Sequence, residues 1–173
     1  MSTSGYLCTL QNFHNSFYNS SFAIILEGTM NQNLYDRDYL LWLEKTVQLL
    51  TDGKLKELDI PNLIEEIKDM GISQKKALKS NLKVIFWHLL KYKYQPEKRS
   101  NSWLSTLFEH RDRLEEDFAD SPSLKPFFLE NFEQCYQKAR KQASIETGLS
   151  IETFPINCPF TPEQVLDSEY LPE

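Results

Sequence analysis

His88, Lys91, Tyr94, Gln95, Arg99, Ser102 and Trp103 form the densest run of chemically capable side chains in the sequence. Lys91 and Arg99 can grip a phosphate or carboxylate through charge-assisted hydrogen bonds. Tyr94 or Trp103 can stack a base beside them. The same residues also suit a corner between two helices. Gln95 and Arg99 would then take the unpaired carbonyls of a last helical turn, and Trp103 would enter the core. Both readings stand on the sequence, and neither yields a catalytic residue.

A second group is Lys75, Lys76, Lys79 and Lys83, spaced so that some share a helical face. Residues 75–99 carry eight basic side chains against Glu97 alone, whereas residues 146–173 carry six acids and no base. The lysines can meet nucleic acid, or pair internally with the acids of Glu109–Asp120 and the C-terminal tail. The formal net charge of −6 disfavours non-specific nucleic-acid binding.

His88 follows Lys83 by five residues. Nuclease domains of the HEPN type use an arginine, then four to six residues, then such a histidine. Lysine lacks the planar fork that holds a scissile phosphate, which weakens that reading. Glu65, Glu66 and Asp69 raise the question of a carboxylate metal site. A di-metal bundle asks for Glu-x-x-His pairs, which this sequence lacks, so a solvated first turn is the expected role. There is no glycine-rich phosphate loop, nucleophile elbow or Cys/His ladder. The sequence therefore calls for no cofactor and no metal.

The elements that must position these groups read as helices. Ile60, Ile64, Ile67, Gly71, Gln74, Leu78, Leu82, Ile85, Leu89 and Tyr92 recur at three- and four-residue steps, which predicts a long central helix with one broad apolar stripe. Asp59 caps it, Pro61 fits its first turn and Pro96 stops it. Gly71 is the weak point, and the unbroken apolar phase across it favours one helix over two. Before it, a helix over Asp36–Leu50 shows Leu40, Leu43, Val47 and Leu50 as its apolar face, ended by Thr51-Asp52-Gly53. After it, a third helix spans Asn101–Ala119. Trp103, Leu107, Leu114 and Phe118 point inward there, and Glu109, Arg111, Asp112, Arg113, Glu115 and Glu116 form its wet side. A fourth runs from Ser123 to Thr147, with Phe128, Phe132, Cys135, Tyr136, Ala139 and Ala143 inside and Gly148 at its end. Thr161-Pro162-Glu163-Gln164 is a capping box that starts a one-turn helix, Glu163–Leu166. Phe154, Phe160 and their prolines predict a strap laid over the helices.

The expected architecture is all-α: a four-helix, up-and-down bundle with a long central helix and a C-terminal strap, forming a single domain over residues 33–173. Residues 1–32 read as a disordered or non-native extension. They are rich in Ser, Asn and Thr, and Leu26-Glu27-Gly28-Thr29 before Met30 suggests that translation starts at Met30. Three cysteines without metal or disulfide spacing favour a reduced, cytoplasmic setting. No apolar run is long enough to span a membrane.

Several stretches resemble a bacterial family catalogued as a domain of unknown function, number twenty-nine in its series. They are Tyr35-Asp-Arg-Asp-Tyr-Leu-Leu-Trp, Leu58-Asp-Ile-Pro-Asn-Leu-Ile-Glu-Glu-Ile, His88-Leu-Leu-Lys-Tyr-Lys-Tyr-Gln-Pro, Ser102-Trp, Asp120-Ser-Pro-Ser-Leu and Cys158-Pro-Phe-Thr-Pro-Glu-Gln-Val-Leu-Asp. They cover about residues 33–173 in order. The family usually has tryptophan at Tyr92 and often arginine at Lys83. The resemblance implies an all-helical fold and no activity. The expected function is a non-catalytic, cytosolic interaction module that binds a protein partner or itself. The alternative is an RNA-directed role, nuclease-like or antitoxin-like, in a small regulatory pair.

Overall fold

The structure, a computed structural model, describes residues 34–173; the readings of residues 1–32 and of a start at Met30 lie outside them. Every regular element among the described residues is helical, and no strand occurs there. The chain divides into two compact units, the first ending at Met70 and the second running from Gly71 to Glu173.

In the first unit, residues 34–37 are helical, and Asp38 then breaks the turn with non-helical backbone. Its carboxylate accepts the backbone N–H of Leu41 at 3.1 Å and so caps α1, Tyr39–Thr51. Gly53, at φ 70°, supplies the left-handed turn that ends α1. A short 3-10 turn, Leu55–Glu57, leads to α2, Ile60–Tyr94. Asp59 is buried before α2 and accepts hydrogen bonds from the backbone N–H and side-chain amide of Asn62, 3.4 and 2.7 Å away.

The buried face of α1 is Trp42, Thr46 and Leu49 rather than the expected Leu40, Leu43, Val47 and Leu50. Leu40, Val47 and Leu50 face solvent and Leu43 is half-buried. The reason is size and chemistry. Trp42 is the largest side chain available, and Tyr35 and Tyr39 pack around it with ring centroids 4.9 and 5.9 Å away. Both tyrosines then donate to Glu66 on α2, which fixes the rotation of α1. The helix is apolar on two faces, and only one of them packs.

In the second unit, Leu78, Leu82, Ile85, Phe86, Leu89 and Leu90 of α2 form a core with α3, Asn101–Asp120, and α4, Leu124–Thr147. Leu107, Leu114 and Phe118 come from α3; Phe128, Cys135, Tyr136, Ala139 and Ala143 come from α4. Phe86, Phe132, Phe128 and Phe118 meet edge to face in sequence, at 4.9, 5.4 and 5.6 Å. This core uses three helices and the C-terminal segment.

α2 is one helix; Gly71 does not break it. Gly148, at φ 72°, closes α4, and its N–H reaches the carbonyl of Ser144. From there the chain runs back over the core as a strap. Phe154, Phe160 and Val165 are buried in it, each worth roughly 2 kcal/mol of transfer free energy. The capping box at Thr161 forms as expected, with Thr161 and Gln164 exchanging hydrogen bonds of 3.2 and 3.0 Å, and it opens α5, Pro162–Leu166.

Candidate functional site

Strap residues outside a regular ladder need other partners for their carbonyls. Side chains on α3 and α4 supply them. Arg140 donates to the carbonyls of Phe154 and Ile151 at 2.9 and 2.8 Å, and Tyr136 to that of Pro155 at 2.6 Å. Arg111 is 3% exposed and gives four bonds: Nε to Val165, and its terminal nitrogens to Ser168, Gln164 and Tyr170, at 3.0 to 3.3 Å. Sequence reading placed Arg111 on the wet side of α3, and the structure corrects this. The signal was its position: Leu107, Arg111, Leu114 and Phe118 lie on one stripe. Burial pulls the Arg111 guanidinium below its ordinary range, opposed by nearby Asp167 and Tyr170.

The corner residues meet at the end of α2. Lys91 lies between two partners, with its ammonium 3.0 Å from the Glu146 carboxylate and 4.6 Å from the centre of the Trp103 ring. Trp103 is half-buried rather than in the core. Burial pushes the Glu146 carboxyl up, but hydrogen bonds from Gln142 and Lys91 outweigh it and hold the group below the usual carboxylate range. Gln95 is buried and donates to the Thr147 carbonyl at the end of α4, 3.4 Å away. Arg99 donates to the Tyr92 carbonyl at 2.9 Å, stacks 4.2 Å over the Tyr92 ring and reaches Pro172 at 3.4 Å. The Tyr94 ring meets Phe154 edge to face at 5.2 Å. Ser102 is exposed, and its carbonyl accepts the Thr106 hydroxyl. Lys91 and Trp103 are brought into contact; Arg99 and Gln95 serve helix ends and the strap.

His88 is buried and its Nδ1–H donates to the Val84 carbonyl at 2.9 Å. Desolvation lowers its pKa, and the Val84 bond opposes the shift. Its titratable neighbours are Lys91, Glu146 and His110. Lys83 lies five residues back, about 140° around the helix, and its charge acts on Cys135 instead. The fold therefore does not bring Lys83 and His88 together. Sequence reading missed His110, whose Nδ1–H meets the Asn81 side-chain oxygen at 2.8 Å. Desolvation also lowers the pKa of His110.

On the lysine face, the ammonium groups of Lys75 and Lys79 lie 5.2 and 5.5 Å from the centre of the Phe127 ring. Lys76 is exposed and Lys83 is half-buried. Among the described residues none of these four lysines makes an ion pair; most of the acids expected to pair with them are engaged elsewhere or face solvent, and Asp117 is half-buried. Beside the strap, a cleft of about 540 Å³ is lined by Arg111, Glu115, Phe118, Lys125, Leu166 and Asp167. No group of three or more His, Cys, Asp or Glu side chains among the described residues is placed to hold a metal ion. No described helix is long and apolar enough to cross a membrane.

The remaining unexplained surface is apolar. In residues 34–70, Tyr39, Leu40, Leu41, Val47, Leu50, Leu55, Ile60, Ile64, Ile67 and Met70 are each 45–69% exposed. Singly exposed apolar side chains are ordinary, but so many in one small unit are not.

A family model described as "Domain of unknown function DUF29" matches residues 34–171. No curated protein and no solved structure matches the chain.

Proposed function

From the premise that the chain belongs to the DUF29 family, a domain of unknown function, we propose that it acts as a non-catalytic protein-interaction module whose working surface is the first unit. The observation that carries this reading is the uncovered apolar face of α1 and the start of α2. Ile60, Ile64 and Ile67 precede Leu78, Leu82 and Ile85 by eighteen residues each, which is five helical turns. The later three are fully buried, whereas the earlier three are 45–60% exposed. A stripe built to be covered is left open over its first turns. The free thiols of Cys135 and Cys158 suit a reducing, cytosolic setting.

The test is capture from extracts of the native host, with the wild-type chain beside Ile64→Glu and Lys79→Glu. The proposal expects a bound protein that Ile64→Glu loses and Lys79→Glu keeps. Equal capture by all three would refute it.

A second reading is RNA binding on the lysine face. Lys75 and Lys79 flank the Phe127 ring without carboxylate partners, and cations beside an aromatic ring suit single-stranded RNA. It predicts salt-sensitive RNA retention that Lys75→Glu and Lys79→Glu abolish. Retention that is absent at low ionic strength removes it.

A further inference from the structure

We infer that the uncovered face of the first unit is the contact surface for a second copy of this chain, paired about a two-fold axis. This rests on the interaction-module reading and names its occupant.

The face is continuous across two helices. On α1, Leu40, Val47 and Leu50 lie about 120° around the helix from buried Trp42, Thr46 and Leu49. On α2, Ile60, Ile64 and Ile67 lie about 90° around from Leu63 and Glu66. Glu66 takes the hydroxyls of Tyr35 and Tyr39, and so marks the side of α2 that faces α1. Lys54, just past α1, hydrogen-bonds back to Leu49, which keeps the connection at that end of the helix. Tyr39, at the opposite end of α1, reaches Glu66, well past the start of α2. The two helices are therefore antiparallel. In an antiparallel pair, rotations of the same sense from the shared contact bring both rows to the same side. Six apolar side chains thus form one face of the hairpin.

The size suits a homodimer. At roughly 100 Å² of exposed surface each, six such side chains present on the order of 600 Å² before any rim is counted. That is the upper end of the 300–600 Å² typical of a monomer's largest patch and, with its rim, close to the roughly 800 Å² per partner of a stable interface. A two-fold axis parallel to the helices lays α1 of one copy over the start of α2 of the other, so each apolar row meets the opposite row across the axis.

The experiment is sedimentation of the full chain at concentrations up to about 100 μM, where a micromolar Kd leaves mostly dimer. The wild type should sediment as a dimer, and Ile64→Glu as a folded monomer with an unchanged far-UV spectrum. A wild-type monomer at the highest concentration overturns the inference. If that monomer still captures a host protein that Ile64→Glu loses, the module reading survives and the second copy does not. A dimer indifferent to Ile64→Glu also overturns it, because the contact then lies elsewhere.

Discussion

Arg111, near the middle of α3, donates from Nε to the carbonyl of Val165 at 3.0 Å and fixes the last turn of a five-residue helix in the strap. A helix that short leaves its final carbonyls unpaired, and a cation suits them because the helix dipole is negative at that end. The guanidinium fork takes Gln164, Val165, Ser168 and Tyr170 together. A buried charge is thus balanced by four carbonyl dipoles.

Arg111→Met should then cost about 3 kcal/mol or more, because it leaves several buried carbonyls without donors. Arg111→Lys should recover only part of the loss, since lysine is a point donor without the fork. Chemical denaturation gives the stability, and limited proteolysis after residue 160 reports whether the strap is released. A loss under about 1 kcal/mol for Arg111→Met would show that water replaces the fork at no great cost.

Gly71→Ala should stabilise the chain by about 0.5–1 kcal/mol, the helix-interior difference between the two residues. Gly71 is helical and exposed, and an added Cβ meets nothing within 4 Å. A shift in the denaturation midpoint measures this. Destabilisation would mean that something approaches the helix closely at that point in solution.

Much of this fold can be read from residue spacing, because caps and stripes act locally. Asp59, Gly148 and the Thr161 capping box each satisfy groups within a turn of themselves, and all three form. The corner was legible in part for the same reason: Arg99 donates within the last turn of α2, as expected, whereas Gln95 reaches the end of α4 instead. What failed needed tertiary knowledge. Leu40, Val47 and Leu50 make as good a stripe as Trp42, Thr46 and Leu49, and only Glu66, some twenty residues on, selects between them. Arg111 was assigned by residue type although its stripe position was that of a core residue. The strap carbonyls that it serves lie more than fifty residues away.

His88 and His110 should make the protein acid-labile. Desolvation lowers both pKa values in the fold. Each group is neutral when folded, while the unfolded chain takes up protons near pH 6.5. Stability is therefore complete above about pH 6.5 and falls as the pH drops toward the lower folded values. Lys91 and His110 steepen the fall at His88, and Glu146 softens it. Melting temperature measured from about pH 7.5 to 5 should decline, and His88→Gln should flatten part of the decline. A slope unchanged in His88→Gln would place the titration elsewhere.

The bonds from Tyr35 and Tyr39 to Glu66, at 2.5 and 2.6 Å, give the first unit a different pH signature. The carboxylate holds Tyr35 protonated up to about 12 and raises Tyr39 as well, while both hydroxyls hold Glu66 below its usual range. On the acid side, the contribution is full above the unfolded glutamate value of about 4.3 and is lost as the pH falls through the lower folded one. On the alkaline side, it is full below about 10 and is lost as the pH rises toward the raised folded value. Phenolate absorbance should therefore show two late-titrating tyrosines in the wild type. Glu66→Ala should return both toward about 10. The same clamp sets the rotation of α1 on α2, and with it the alignment of the two apolar rows. Glu66→Ala should therefore also weaken self-association, although Glu66 lies outside the proposed contact. Normal tyrosine titration in the wild type would show that the clamp is open in solution, and the alignment of the rows would lose its cause.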